Sequence, residues 1–176
     1  MTRYIKKPQI KNNNFTILVD DREKKPWLFP SQYPMEKRRL KCGDYSIKGY
    51  EDLVAIEKKS GLNELFTNLT GNYRPTFKRF LSKLSKYPVR AIVVGNPLRI
   101  ETLRACVKIL KLRSSGKSQL TEETIYYWVS EITFRYQIPV LFIDALVSVN
   151  MLTRLFESAY KRAQEIRNDT RTDRKR

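Results

Sequence analysis

The run Gly43 to Lys59, GDYSIKGYEDLVAIEKK, constrains the fold more than any other stretch of the chain. Two β-prone apolar segments, Tyr45 to Ile47 and Leu53 to Ile56, flank Gly49, Tyr50, Glu51 and Asp52, which predicts a hairpin with a four-residue loop. Pairing Lys48 with Leu53 sets Tyr45 against Ile56 and Ile47 against Val54, so the apolar residues share one face, as a half-buried ribbon requires. The same register places Asp44 opposite Glu57, with Cβ atoms about 5 Å apart. Two carboxylates so placed repel each other, and folding alone gives no reason for the pair. A divalent cation between them would. Lys59 falls on the same face about 7 Å further along, within reach of a water held by such an ion.

The charge balance says what such a site would act on. With 35 Lys and Arg against 18 Asp and Glu, the chain carries a net charge of +17, which calls for a polyanion: DNA, RNA or an anionic membrane surface. No apolar run approaches the roughly 20 residues of a membrane span, and Met1 to Lys11 is charged without an apolar signal core. The expectation is an intracellular chain, cytoplasmic or at the nucleoid or nucleus, with no membrane partner. The absence of histidine excludes a His general base, a phosphohistidine and a His-ligated metal. Cys42 and Cys106 stand outside any CxxC pattern and read as reduced thiols. Phosphodiester chemistry must therefore rest on carboxylates and lysine, and an acid followed by acid-x-lysine is an arrangement that nucleases use.

At 176 residues the chain accommodates one domain, divided here into a flexible basic lead-in (1–14), the domain itself (15–160) and a charged flexible tail (161–176). Phe15 to Val19 predicts a strand that delivers Asp20, Asp21, Arg22 and Glu23 at its C-terminal end. Taken alone, those charges read as a solvated loop. Met35 to Lys41 predicts a basic strand. Ser60 can cap a helix with Leu62, Leu65, Phe66 and Leu69 at helical spacing. Pro75 opens a second helix, with Phe77, Phe80, Leu81 and Leu84 inward and Lys78, Arg79, Lys83 and Lys86 outward. Arg74, Lys78 and Arg79 are the candidate contacts to a DNA backbone.

Val89 to Gly95 predicts a strand buried on both faces, and Ile100, Leu103, Val107 and Leu110 mark a further helix. The loop Arg113 to Gln119 contains GKS but lacks the first glycine of a phosphate-binding loop and follows no strand. Thr121 starts a helix, Pro139 to Ile143 predicts a strand, and Met151 to Ala159 marks a last helix. The pattern is that of an α/β domain with a mixed central sheet and helices on both faces.

The motifs VDDRE (Val19 to Glu23), GDYSI (Gly43 to Ile47) and IEKKS (Ile56 to Ser60), followed by helices and the strand PVLFI, resemble the XPF-like (ERCC-type) nuclease domain of the PD-(D/E)xK superfamily. The resemblance implies a restriction-endonuclease-like sheet and a metal-dependent DNA endonuclease. Asp20 and Glu23 match the acids of the family's VDxRE, Asp44 its GD acid, and Glu57, Lys58 and Lys59 its ERK triplet. Asp44 and Glu57 would hold Mg2+ or Mn2+, with the main-chain carbonyl of Lys58 and Asp20 completing the oxygen shell, Lys59 acting on the attacking water, and Arg22 and Glu23 in support. Branched DNA or single/double-strand junctions are the implied partner, and a homodimer is compatible with the family. Two positions depart from its pattern: Lys58 replaces arginine, and Asn63 stands where the extended motif has aspartate, with Glu64 one residue on. Three rival readings remain: a DNA-binding module of the same fold without catalysis, a Holliday-junction resolvase or restriction-type nuclease, and an RNA-binding basic protein.

Overall fold

Alternation along the hairpin fixes the middle of a six-stranded mixed sheet. The computed structural model describes residues 15–96, 98–113, 120–144 and 148–173. The lead-in 1–14, the loop residues 114–119 with GKS, and the last three residues of the tail lie outside the described residues. The strands are β1 (Ile17–Val19), β2 (Met35–Lys37), β3 (Tyr45–Ile47), β4 (Val54–Lys59), β5 (Val89–Val94) and β6 (Val140–Phe142), in the order β2-β1-β3-β4-β5-β6. β3 runs antiparallel to both β1 and β4, and the remaining neighbours are parallel. Tyr45 lies opposite Ile56, the register that the alternation predicts.

The helices are α1 (Leu62–Leu69), α2 (Arg74–Leu84), α3 (Ile100–Arg113), α4 (Glu122–Arg135) and α5 (Ser148–Asp173). Successive residues of β4 and β5 point to opposite faces, which sorts the core in two. Ala55, Ile92 and Val94 pack with the apolar sides of α1, α2, α3 and α4. Val54, Ile56, Ala91 and Val93 join Tyr45 and Ile47 under Leu152, Phe156, Ala159 and Ala163 of α5. Each fully buried Leu or Phe in these layers contributes about 1.5–3 kcal/mol. The expected restriction-endonuclease-like mixed sheet with helices on both faces is what forms.

Three local expectations are corrected. β2 ends at Lys37 rather than Lys41, because the Leu40 amide turns away to donate to Asp20 Oδ2 at 2.8 Å. Ser60 does not cap α1. Its hydroxyl donates to Glu64, and the Leu62 N–H is met instead by Asn96 Oδ1 at 3.2 Å, in space that a Cβ on Gly61 would fill. The segment 161–176, expected as a flexible tail, is helical as far as Asp173. Ala163 is buried against the sheet, and Arg167 stacks 4.3 Å over the Tyr50 ring while bonding Asp52 at 2.8 Å, so tertiary contacts hold a segment whose composition reads as disordered.

Candidate active site

β4 brings Glu57 and Lys59 out on the Ala55 face, toward α1 and α2, and Asp44 enters beside them immediately before β3. Gly43 makes that entry possible: its φ is +75°, and a Cβ there would lie 2.9 Å from the Ile56 carbonyl oxygen. The Asp44 N–H donates to that same carbonyl at 2.9 Å, and Asp44 Oδ2 accepts the Lys58 N–H at 2.8 Å. Asp44 Oδ1 accepts no hydrogen bond among the described residues. Asp44, Glu57, Lys58, Lys59 and Glu64 line one cavity of about 310 Å³, together with Glu23, Lys24, Lys25 and Ser60.

Electrostatics in this cavity are strained in one direction. Burial pushes the Asp44 carboxyl above its ordinary value, against the pull of the Lys58 N–H and the Lys59 ammonium. Burial pushes Glu57 up to about 7; Lys59 pulls it back and Asp44 pushes it further. Lys59 Nζ sits 2.7 Å from Glu57 Oε1 and 3.4 Å from Glu64 Oε1. Burial alone would lower the Lys59 ammonium, but the carboxylates of Glu57, Glu64 and Asp44 outweigh it, and its pKa is raised. Lys59 is therefore a fixed cation at neutral pH.

The remaining sequence candidates fall around this centre. Asp20 does not line the cavity: its carboxylate takes the Arg22 N–H, Nε and Nη2 and the Leu40 N–H, and Arg22 holds it far below the carboxylate range against its burial. The geometry gives Asp20 a tie between β1 and the chain ahead of Gly43. Its N–H also donates to the Asp44 carbonyl at 2.8 Å, so it supports Asp44 from behind. Arg22 is Asp20's partner rather than the cavity's. Glu23 lines the cavity wall and pairs with Lys58 Nζ at 3.5 Å; Lys58 also reaches the Lys25 carbonyl and lies 5.8 Å over the Trp27 ring.

Arg74, Lys78 and Arg79 stand on α2, whose Phe77 ring lies 5.5 Å from Lys59 Nζ, so the helix begins beside the site. Arg74 itself stacks 4.2 Å over Trp128, and Arg79 bonds Thr76. Sequence reasoning missed Lys24, Lys25 and Ser60 as cavity walls. It saw Glu64 only as a misplaced substitute, although the acid four residues after Ser60 on a helix was the available signal.

The donor set suits a hard cation. Two carboxylates, both desolvated and one with an oxygen that accepts nothing, line a cavity with room for water, and Mg2+ is typically held by one or two carboxylates with several waters retained. Among the described residues no group of three or more acidic, Cys or His side chains converges as a ready-made cage.

No protein-family profile matches the chain, and no curated protein matches it. Solved structures do. XPF from Aeropyrum pernix is 17% identical, with 87% of this chain and 69% of that one covered at a TM-score of 0.59. Its complex with DNA is 18% identical, with 84% and 66% covered at a TM-score of 0.57. The mixed sheet and its helical layers thus have an XPF-like nuclease fold.

Proposed function

We propose that this chain is a metal-dependent DNA endonuclease that cuts branched DNA or single/double-strand junctions. The observation that carries the reading is the shared cavity in which Asp44 and Glu57 face the Lys59 ammonium, both carboxyls pushed up by burial. A fold this close to that of a protein solved with DNA, and a net charge of +17, support the polyanion as substrate.

Asp44 and Glu57 would hold Mg2+ or Mn2+, with the Lys58 main-chain carbonyl as a further oxygen; Asp20 is the least suited member of the expected shell, since its carboxylate is already saturated. Bound there, the ion would polarise the phosphate and supply an activated water. Lys59, kept protonated by three carboxylates, orients that water and offsets negative charge on the phosphorus-centred transition state. Glu64 holds Lys59 from the α1 side and ties down the Ser60 N–H at 2.8 Å, so the cation is aimed by the fold. Lys24 and Lys25, which also line the cavity, would meet phosphate oxygens.

A panel of forks, flaps, four-way junctions and blunt duplexes with Mg2+, Mn2+ and EDTA tests this, with calorimetric metal titration of the wild type and of Asp44→Ala. Metal-dependent cutting that favours the branched substrates is expected. Binding to all of them with no cutting under either metal overturns it in favour of a binding module. The Lys59–Glu57 contact favours that second reading, since such a pair could serve as a plain buried salt bridge.

A further inference from the structure

A second cavity, of about 440 Å³, adjoins the first across Lys59 and Glu64, which line both. Its other walls are Asn63, Thr67 and Asn68 of α1, and Tyr73 in the turn before α2. Two of its polar side chains are committed to the helix: the Thr67 hydroxyl donates to the Asn63 carbonyl at 2.7 Å, and the Asn68 amide to the Glu64 carbonyl at 2.8 Å. Asn63 is different. Its side-chain amide makes no hydrogen bond among the described residues, and its Oδ1 is buried without a donor. A buried carbonyl oxygen without a donor is unfavourable unless something else supplies a partner. Nothing among the described residues fixes which way that amide faces, so turning it to offer either an acceptor or a donor to the cavity breaks no bond. Tyr73 is 63% exposed and stacks on no other ring among the described residues.

We propose that this cavity is a subsite for one unpaired nucleobase of the strand whose phosphate lies at Lys59. The proposal rests on the nuclease reading for the phosphate's position and adds what the enzyme recognises next to it. The volume is in the range of small-ligand pockets. Tyr73 supplies a face for stacking, which any base accepts, and the Asn63 amide can meet the hydrogen-bonding edge of a base that has no pairing partner. A paired base reaches such a pocket only after leaving its stack, so a nucleotide already unpaired enters at lower cost. Preference for branched DNA then has a local origin beside the cut. It also gives the departure at Asn63 a use: an aspartate there would add a second acid to a cavity that Glu64 already lines and could only accept, whereas the amide is neutral and two-sided.

The test uses fork DNA with 2-aminopurine at successive positions of the single-stranded arm, mixed with the full chain in EDTA so that no hydrolysis is needed. Wild type should change the fluorescence at one position near the branch. Tyr73→Ala should lose that change and bind the fork roughly 5- to 100-fold more weakly, while its affinity for blunt duplex stays the same, which also shows that it is folded. Tyr73→Trp should restore both signals, and Asn63→Ala should weaken binding of the fork while leaving affinity for blunt duplex unchanged. No position-specific change in the wild type, or Tyr73→Ala with unaltered fork affinity, overturns the subsite. A chain that gives the signal but never cuts sinks the nuclease reading alone; one that cuts but gives no signal sinks the subsite alone.

Discussion

Asp20, just past the end of β1, and Glu57, on β4, stand on either side of β3 and are both withdrawn from water, 1% and 8% exposed, yet the protein treats them in opposite ways. Asp20 receives two backbone N–H groups and a guanidinium, and its carboxyl is held far below the ordinary range. Glu57 receives one ammonium and faces a second carboxylate, and its carboxyl is pushed up to about 7. Burial is common to both, so burial does not mark a site. What separates them is how many donors the fold supplies: Asp20 is saturated and held ionised, whereas Glu57 has a single ammonium with a second carboxylate nearby and is pushed toward its protonated form.

The contrast breaks most visibly in catalysis. Glu57→Ala or Asp44→Ala should lower single-turnover cleavage by about 1,000-fold or more, with DNA affinity by fluorescence anisotropy unchanged or slightly tighter, because a carboxylate facing phosphate has been removed. Equal losses of binding in both variants would contradict a role at the metal. Asp20→Ala should act through stability instead. Stripping the partner from the Leu40 and Arg22 amides should cost about 2–3 kcal/mol, read from the urea midpoint, with metal affinity in whatever remains folded near that of wild type.

The pH dependence of the metal-free protein sharpens the same comparison. Glu57 is raised above its ordinary 4.5 in the fold, so the native state holds that proton more tightly than the unfolded chain. Its contribution to stability is therefore gained as pH falls from above 7 toward 4.5, and is absent in the alkaline limb. Asp20 has the opposite sign: its contribution is full above the ordinary 3.8 and is lost as pH falls below that value. Thermal melts of wild type should rise between pH 8 and pH 5.5, and Glu57→Gln should flatten that rise; an unchanged slope in the variant would mean that Glu57 is already satisfied. The smallest effect concerns how the hairpin is held from its far end. Arg167→Ala should cost about 0.5–1 kcal/mol by loss of the contacts to Tyr50 and Asp52, and hydrogen exchange in the loop 49–52 should quicken.

Residues whose partners lie close in the chain were readable beforehand. The pairing of Tyr45 with Ile56 follows from a short loop and a two-residue period, and both packed faces of β5 follow from an apolar run that only Arg90 interrupts. The start of α4 at Thr121 follows equally from local chemistry: its hydroxyl caps the Thr124 N–H. Residues whose partners arrive from elsewhere were not. Ser60 looks like a cap, but Asn96 occupies that role from the end of β5. The tail looks disordered by composition, but the sheet and the hairpin loop lie under it.

The sequence by itself therefore determined the hairpin, the face shared by Asp44, Glu57 and Lys59, and the alternation that makes a mixed sheet covered on both sides, because each depends on a spacing of a few residues. Only the tertiary structure decided that Asp20 is saturated while Glu57 is not, that Glu64 holds Lys59, and that Asn63 Oδ1 has no donor among the described residues. The number of donors reaching a buried group is set by chain segments that meet only after folding.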